Sequence, residues 1–171
     1  MPDLITHVSM AHLILRGIDS LQRRLSFFQS DAIWLYYLGT ILQDLLTRPV
    51  NILFPSAIHW TIFLHTPLAM TVVHLMLVML FEGSKRQTAF LYLTSGSAIH
   101  FLVDALQKQV IGNNFWLYPL SWHNFSLKLF WAHEFMAVLP YLVSMIIVLE
   151  TVLLWRPKMK NKIALTTKSR H

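Results

Sequence analysis

His100-Phe-Leu-Val-Asp104 sets an imidazole and a carboxylate four residues apart. On a helix such a pair faces one way, with Cβ atoms about 6 Å apart, so both groups can address one cation. Three further residues of ligand type precede it in separate stretches of the chain: His7, Asp44 and His65. A site of imidazole nitrogen and carboxylate oxygen without sulfur suits Zn²⁺ and admits Mn²⁺ or Fe²⁺. With one position open, such an ion brings the pKa of bound water to about 7, which is the chemistry of metal-assisted hydrolysis. His123 and Glu134 are the candidates for general base and general acid, with His59 also in reach. Competing chemistries lack their residues. The chain has no cysteine, which removes thiolate nucleophiles and thiolate metal sites. It contains no Gly-x-Ser-x-Gly elbow, no Gly-rich phosphate loop and no His-Glu-x-x-His.

A bland reading competes with the metal. Histidines at membrane ends often sit in the interface on water or backbone, and Asp44 and Asp104 have Arg48 and Lys108 four residues on as ion-pair partners. His12, His74 and Glu150 are read as packing groups at other depths or faces, and the Met and Phe stripes as core or lipid-facing surface.

The elements that must position these groups follow from composition. Of 171 residues, 55% are hydrophobic and 13% are charged, about half the charged share of a soluble domain. A soluble fold of this size could not hide that much apolar surface, so an integral membrane protein is expected. The net charge of +6 belongs to the end of the chain. From Arg156 onward there are six basic and no acidic residues, and the rest balances at eight against eight. That pattern excludes a polyanion-binding body and reads as a juxtamembrane tail near anionic headgroups. The start lacks a basic n-region and an Ala-x-Ala site, so no removable signal peptide is expected.

The spacing predicts an all-α, polytopic helix bundle with about five transmembrane or partly re-entrant helices. Trp60–Phe81 is the clearest span, at about 33 Å if helical throughout. Gln87–Leu106 and His133–Trp155 are the next, the latter with Pro140 as a kink. Ile5–Asp19 and Ala32–Leu46 are shorter, the second with Asp31 as a candidate N-cap. Residues 1–156 would form the membrane domain and 157–171 a basic cytoplasmic tail. Alternating five helices places that tail, Lys85 with Arg86, and Arg23 with Arg24 on one side, which the positive-inside rule makes cytoplasmic. The long Gln107–Ala132 loop, with Trp116, Tyr118, Trp122 and Trp131, then faces outward as an interfacial belt. In this threading His7, Asp44, His65, His100 and Asp104 reach one level of the bilayer, near the outer leaflet. Ser95-Gly-Ser-Ala98 on the His100 helix would let a neighbour approach closely.

The order of motifs resembles a known family. Thr6-His7, Gly39-Thr-Ile-Leu-Gln-Asp44, His65-Thr66, His100-Phe-Leu-Val-Asp104 and Trp116-Leu-Tyr-Pro119-Leu-Ser, spread over about Pro2 to Ser121, resemble the YdjM-like inner-membrane metal-dependent hydrolases. That family shows a Thr-His, a Pro-Asp-x-Asp after a glycine, a Thr-His-Ser and a His-x-x-x-Asp before an aromatic-Pro step. The resemblance implies His7, Asp44, His65, His100 and Asp104 as ligands and a multi-pass place in a bacterial plasma membrane. The chain departs from the pattern at Gln43 (Pro in the family), Leu46 (the second Asp), Leu64 (Thr) and Thr66 (Ser).

Residues and resemblance together lead to a membrane hydrolase acting on a lipid or lipid-linked ester or phosphoester, with membrane lipids and no nucleic acid as partners. A transferase using the same metal differs only in its acceptor. The alternative is a non-enzymatic membrane protein, a structural or interaction subunit or an ion or proton carrier, whose His and Asp act as relay or helix glue.

Overall fold

The computed structural model describes residues 4–21, 31–108, 115–123, 125–131 and 134–168, and it is all-α apart from one two-residue strand pair. Six helices follow in order: α1 (Leu4–Leu21), α2 (Ile33–Leu53), α3 (Ile58–Leu64), α4 (Pro67–Val78), α5 (Gly83–Leu106) and α6 (Glu134–Lys168). A single turn of 3₁₀ helix, Pro55–Ala57, joins α2 to α3. Strands β1 (Gln107–Lys108) and β2 (Phe130–Trp131) pair in parallel and tie the end of α5 to the start of α6. Arg23, Arg24 and His133 lie outside the described residues.

Two stretches are long and apolar enough to cross a membrane: α5, more than half buried, and Ala137–Trp155 of α6, almost wholly exposed. Leu4–Ile18 and Pro67–Val78 are apolar but shorter. The continuous helix expected over Trp60–Phe81 is not formed: the chain breaks at His65–Thr66 into α3 and α4. Thr66 is extended, its Oγ1 accepts from Ala69 N at 3.2 Å, and Pro67 takes the first helical position. That is an N-cap followed by a residue with no N–H to satisfy, a strong start signal for a new helix. Asp31 does not cap α2 either; Ala32 holds that position without a side-chain cap. Helix α2 also runs seven residues past the expected Leu46, through Pro49 to Leu53.

Helices α2 and α5 form the spine. They run in parallel and approach so closely that a Cβ on Gly39 would overlap the Leu93 carbonyl and one on Gly96 would overlap the Tyr36 carbonyl. Ser97 Oγ donates to Gly39 O across this seam at 2.9 Å. Helix α1 packs antiparallel along both, with the Tyr36 hydroxyl donating to Ala11 O at 3.1 Å.

The interior divides along the spine. One end is apolar: Ala11, Leu15, Leu35, Tyr36, Val78, Ala89, Tyr92 and Leu93 are buried together. Toward the other end, beside apolar Leu42, Ala69, Met70, Val103 and Ala105, the buried residues include the polar Thr6, His7, Thr40, Gln43, Asp44, Thr47, Thr66, His100, Asp104 and Gln107. So much polarity in an interior must be satisfied by partners, because each unsatisfied group costs on the order of 1–3 kcal/mol.

Candidate metal centre

Four chain segments deliver five ligand-type side chains to the polar end. His7 comes from the first turn of α1, Asp44 from the middle of α2, and His100 and Asp104 from the last two turns of α5. His65 is the residue that terminates α3. The helix break is therefore what places it: it ends α3 there and caps the next helix with Thr66 one residue later.

His7 Nε2 lies 3.4 Å from Asp104 Oδ1, and His100 Nε2 lies 3.4 Å from Asp104 Oδ2. His65 Nε2 lies 3.6 Å from Asp44 Oδ1. The His7 and His100 rings stack at 4.1 Å, and His65 tilts against His100 at 5.6 Å. His7, Asp44 and His100 offer ligand atoms all within 4.8 Å of one another, as do His65, His100 and Asp104. His100 belongs to both groups and sits at the centre of the cluster.

Two magnitudes decide what these contacts are. An N–H···O⁻ hydrogen bond spans about 2.7–2.9 Å, and the molecule has an imidazole–carboxylate contact closer to that range: His12 Nε2 is 3.0 Å from Glu150 Oε1. The three contacts of the cluster are longer, at 3.4 to 3.6 Å. Ligands about 2.05 Å from a tetrahedral ion stand about 3.3 Å apart, so the cluster has the spacing of ligands around an ion. Tautomer agrees. His100 Nδ1–H donates to Thr40 O at 2.8 Å, so neutral His100 turns its Nε2 lone pair toward the Asp104 carboxylate. A cation between these two atoms, a metal ion or a single proton on Nε2, satisfies both, whereas a proton on each stacked ring would set like charges about 4 Å apart, a repulsion of about 4 kcal/mol at an effective dielectric of 20. The buried His/Asp group can thus hold a metal ion, and the Thr40 carbonyl is the outer partner that orients its central ligand.

The cluster opens on one side. The side chains of His7, His100, Asp104 and Asp44 are 1%, 0%, 8% and 3% exposed, whereas His65 is 13% and Arg48 27% exposed. Arg48, one turn beyond Asp44, places Nη2 2.7 Å from Asp44 Oδ2. The ion pair foreseen for Asp44 is therefore present together with the His65 contact. Lys108, the partner foreseen for Asp104, lies over the Trp131 ring at 5.1 Å.

His123 and Glu134 are not brought into this cluster. Both are exposed, and neither offers an atom within the 4.8 Å groups. Glu134 Oε2 instead accepts from Trp131 N at 2.7 Å, and His123 N donates to Ser121 Oγ at 3.1 Å. The His59 side chain lies outside the described residues. Of the histidines assigned to packing, His74 fits that role, its Nε2 3.0 Å from Ser97 Oγ. His12 does more: between Tyr37 Oη at 2.8 Å and Glu150, which Arg16 Nη2 also reaches at 3.1 Å, it joins α1, α2 and α6.

Sequence reasoning missed one member of the site and one buried polar neighbour in the chain. The Thr40 carbonyl leaves no mark in a sequence, because any residue supplies it. Gln43, wholly buried, has an amide with no hydrogen bond to any described residue; its position beside Asp44 was legible, its burial was not. No protein-family model, no characterised protein and no solved structure matches this chain, and its functional reading rests on the geometry above.

Proposed function

We propose that this chain is an integral membrane hydrolase that uses one metal ion, zinc ahead of manganese or iron, bound by His7, Asp44, His65, His100 and Asp104. The observation that carries the reading is the 3.4 to 3.6 Å spacing of imidazole and carboxylate atoms drawn from separate segments. When bound, the ion supplies Lewis acidity and acidifies water near neutral pH. The protein's own groups do the rest. Thr40 O fixes the His100 ring, Asp104 bridges His7 and His100, and Asp44 links the buried ligands to His65 and Arg48 at the open side. In hydrolysis the water oxygen bonds to the carbonyl carbon or phosphorus, the bond to the alkoxy oxygen breaks, and the proton from water ends on the departing alcohol.

The membrane setting is supported by the 55% hydrophobic composition and the two helices of spanning length. Charge asymmetry supports a multi-pass arrangement with the basic end in the cytoplasm and the metal site near the outer leaflet. A site at that depth is reached by lipids, so the substrate is a lipid or lipid-linked ester or phosphoester, and the resemblance to YdjM-like hydrolases of the bacterial plasma membrane points the same way. The Arg48–Asp44 and His12–Glu150 pairs favour a second reading, helix glue without catalysis, because they join or brace helices with no ion. Turnover of a panel of lipid esters and phosphoesters by purified protein, with His100→Ala and Asp104→Ala alongside, separates the two. The hydrolase loses metal and turnover together in both variants; metal retained in full would remove these residues from the ligand set.

A further inference from the structure

We propose that α6 is a lateral gate on the metal centre, latched at Glu150, and that the seam it opens along α1 receives the hydrocarbon chain of the lipid substrate. The chain assignment rests on the membrane-hydrolase reading; the gate does not. The first ground is how little of α6 is docked. Of its described side chains only Leu142 is buried, and Leu139, Ile146, Leu149, Glu150 and Leu153 are half-buried. These residues recur at helical spacing as one narrow stripe, and the rest of Ala137–Trp155 is exposed. Apolar contact of this kind gives little net drive in a bilayer, whose lipid tails are as apolar as Leu. The hold then falls to polar groups. Glu150 Oε1 meets His12 Nε2 at 3.0 Å, Oε2 accepts from Arg16 Nη2 at 3.1 Å, and Arg16 Nε also faces Oε1. Tyr37 Oη braces His12 at 2.8 Å. A forked guanidinium and an imidazole thus grip one carboxylate, the strong class of hydrogen bond. The start of α6 is held by backbone instead: β2 pairs with β1, and the Leu127 and Leu129 N–H groups donate to Ala105 O and Leu106 O. One end is a hinge and the other a side-chain latch.

The second ground is what the seam covers. Leu142 packs with Val103, Met10, Leu13 and Ile99. Val103 adjoins Asp104, Ile99 adjoins His100, and Met10 stands one helical turn after His7, so α6 walls the ligand-bearing turns of α1 and α5. Leu142 and Glu150 lie about 12 Å and 24 Å from Glu134 along the helix axis. A swing about the hinge moves Leu142 half as far as Glu150 and opens a wedge, narrow beside the ligands and wide beside His12. In the membrane reading the metal lies near the outer leaflet, and a lipid with its ester at the metal runs its chain toward the bilayer centre. That is the direction of the wedge.

The chain has no cysteine, so spin labels attach only where cysteine is introduced. In the full chain in lipid nanodiscs, labels on Leu91→Cys and Leu154→Cys, exposed positions of α5 and α6, report the latched end by double electron resonance. Glu150→Gln and Arg16→Gln should each lengthen or broaden that distance, and Arg16→Glu combined with Glu150→Arg should restore it. With Co²⁺ in the site, octanethiol arrives from hydrocarbon and mercaptoethanesulfonate from water, and sulfur–cobalt absorption follows the entry of each. Glu150→Gln should speed octanethiol about tenfold or more and leave mercaptoethanesulfonate unchanged. Distances unchanged in both single variants overturn the latch, and a swap that stays as open as Glu150→Gln overturns the ion pair as its basis. An octanethiol rate unchanged in Glu150→Gln overturns the seam as the path of the chain. Equal acceleration of both thiols overturns it too, since the metal centre itself would then have loosened. A wild-type protein that takes up no Co²⁺ refutes the metal-hydrolase reading, while the label distances still decide the gate.

Discussion

Replacing Gly96 by alanine should weaken metal binding without touching a ligand. A Cβ at Gly96 would fall on the Tyr36 carbonyl and the Thr40 amide, both backbone, so no rotamer relieves the overlap. Ordinary contact between such atoms is about 3.5 Å, and α2 and α5 must part by a distance on the order of 1 Å. The Thr40 O···His100 Nδ1 hydrogen bond, 2.8 Å long, spans the same seam. Stretched by that amount it leaves hydrogen-bonding range, and His100 loses the partner that sets its tautomer. Loss of such an outer partner typically costs 10–100-fold in metal affinity. Stability moves less, because an overpacking cost of about 1–3 kcal/mol is opposed by about 1 kcal/mol of helix propensity gained from Gly to Ala. Zinc affinity by competition with a chromophoric chelator, alongside thermal unfolding in detergent, reads both effects. Gly83→Ala is the control, since a Cβ there meets nothing within 4 Å. Gly96→Ala binding zinc as tightly as the control would refute the link between helix approach and ligand orientation.

Asp104→Asn keeps the shape of the carboxylate that faces both His7 and His100 but removes its charge, and elemental analysis should find zinc reduced at least tenfold. His123→Ala and Glu134→Gln should leave zinc content unchanged, as both residues are exposed away from the cluster; a loss of metal in either would show that the cluster recruits the loop. Gln43→Met replaces a buried amide that has no hydrogen bond to the described residues by a side chain of similar volume. It should leave the unfolding temperature unchanged or raise it, whereas a loss above about 1 kcal/mol would reveal a partner for the amide. Zinc retention should fall as the solution is acidified, because imidazole must be neutral to ligate; equilibrium dialysis across pH 5 to 8 checks the sign.

The meeting of His7, Asp44, His65, His100 and Asp104 was legible because it needed only helix rise and a reversal of direction between packed helices, and both survive errors of several residues in element ends. Close approach at Gly96 was legible from Ser95-Gly-Ser-Ala98. The break at His65–Thr66 was not read, although Thr66 and Pro67 are an N-cap and a first-turn proline, because the uncharged run from Pro49 to Phe81 outweighed them. His12 and Glu150, 138 residues apart, carry no local sign of their pairing. That contact arises only once α6 docks on α1, and sequence spacing does not report docking. The aromatic loop suggested His123 as a general base, but the loop folds back on α5 through Leu127 N→Ala105 O at 2.7 Å and Leu129 N→Leu106 O at 2.8 Å, and His123 is left exposed.

The central claim is that a cation belongs between the imidazoles of α1, α3 and α5 and the two carboxylates. Plasma emission spectrometry of the protein purified without chelators, with His7→Ala and His100→Ala prepared in parallel, tests it most directly. About one transition-metal ion per chain in the wild type, and less than a tenth of that in both variants, is the predicted result. A wild-type protein that folds, binds no metal when offered zinc, manganese or iron, and melts at an unchanged temperature with each would contradict it.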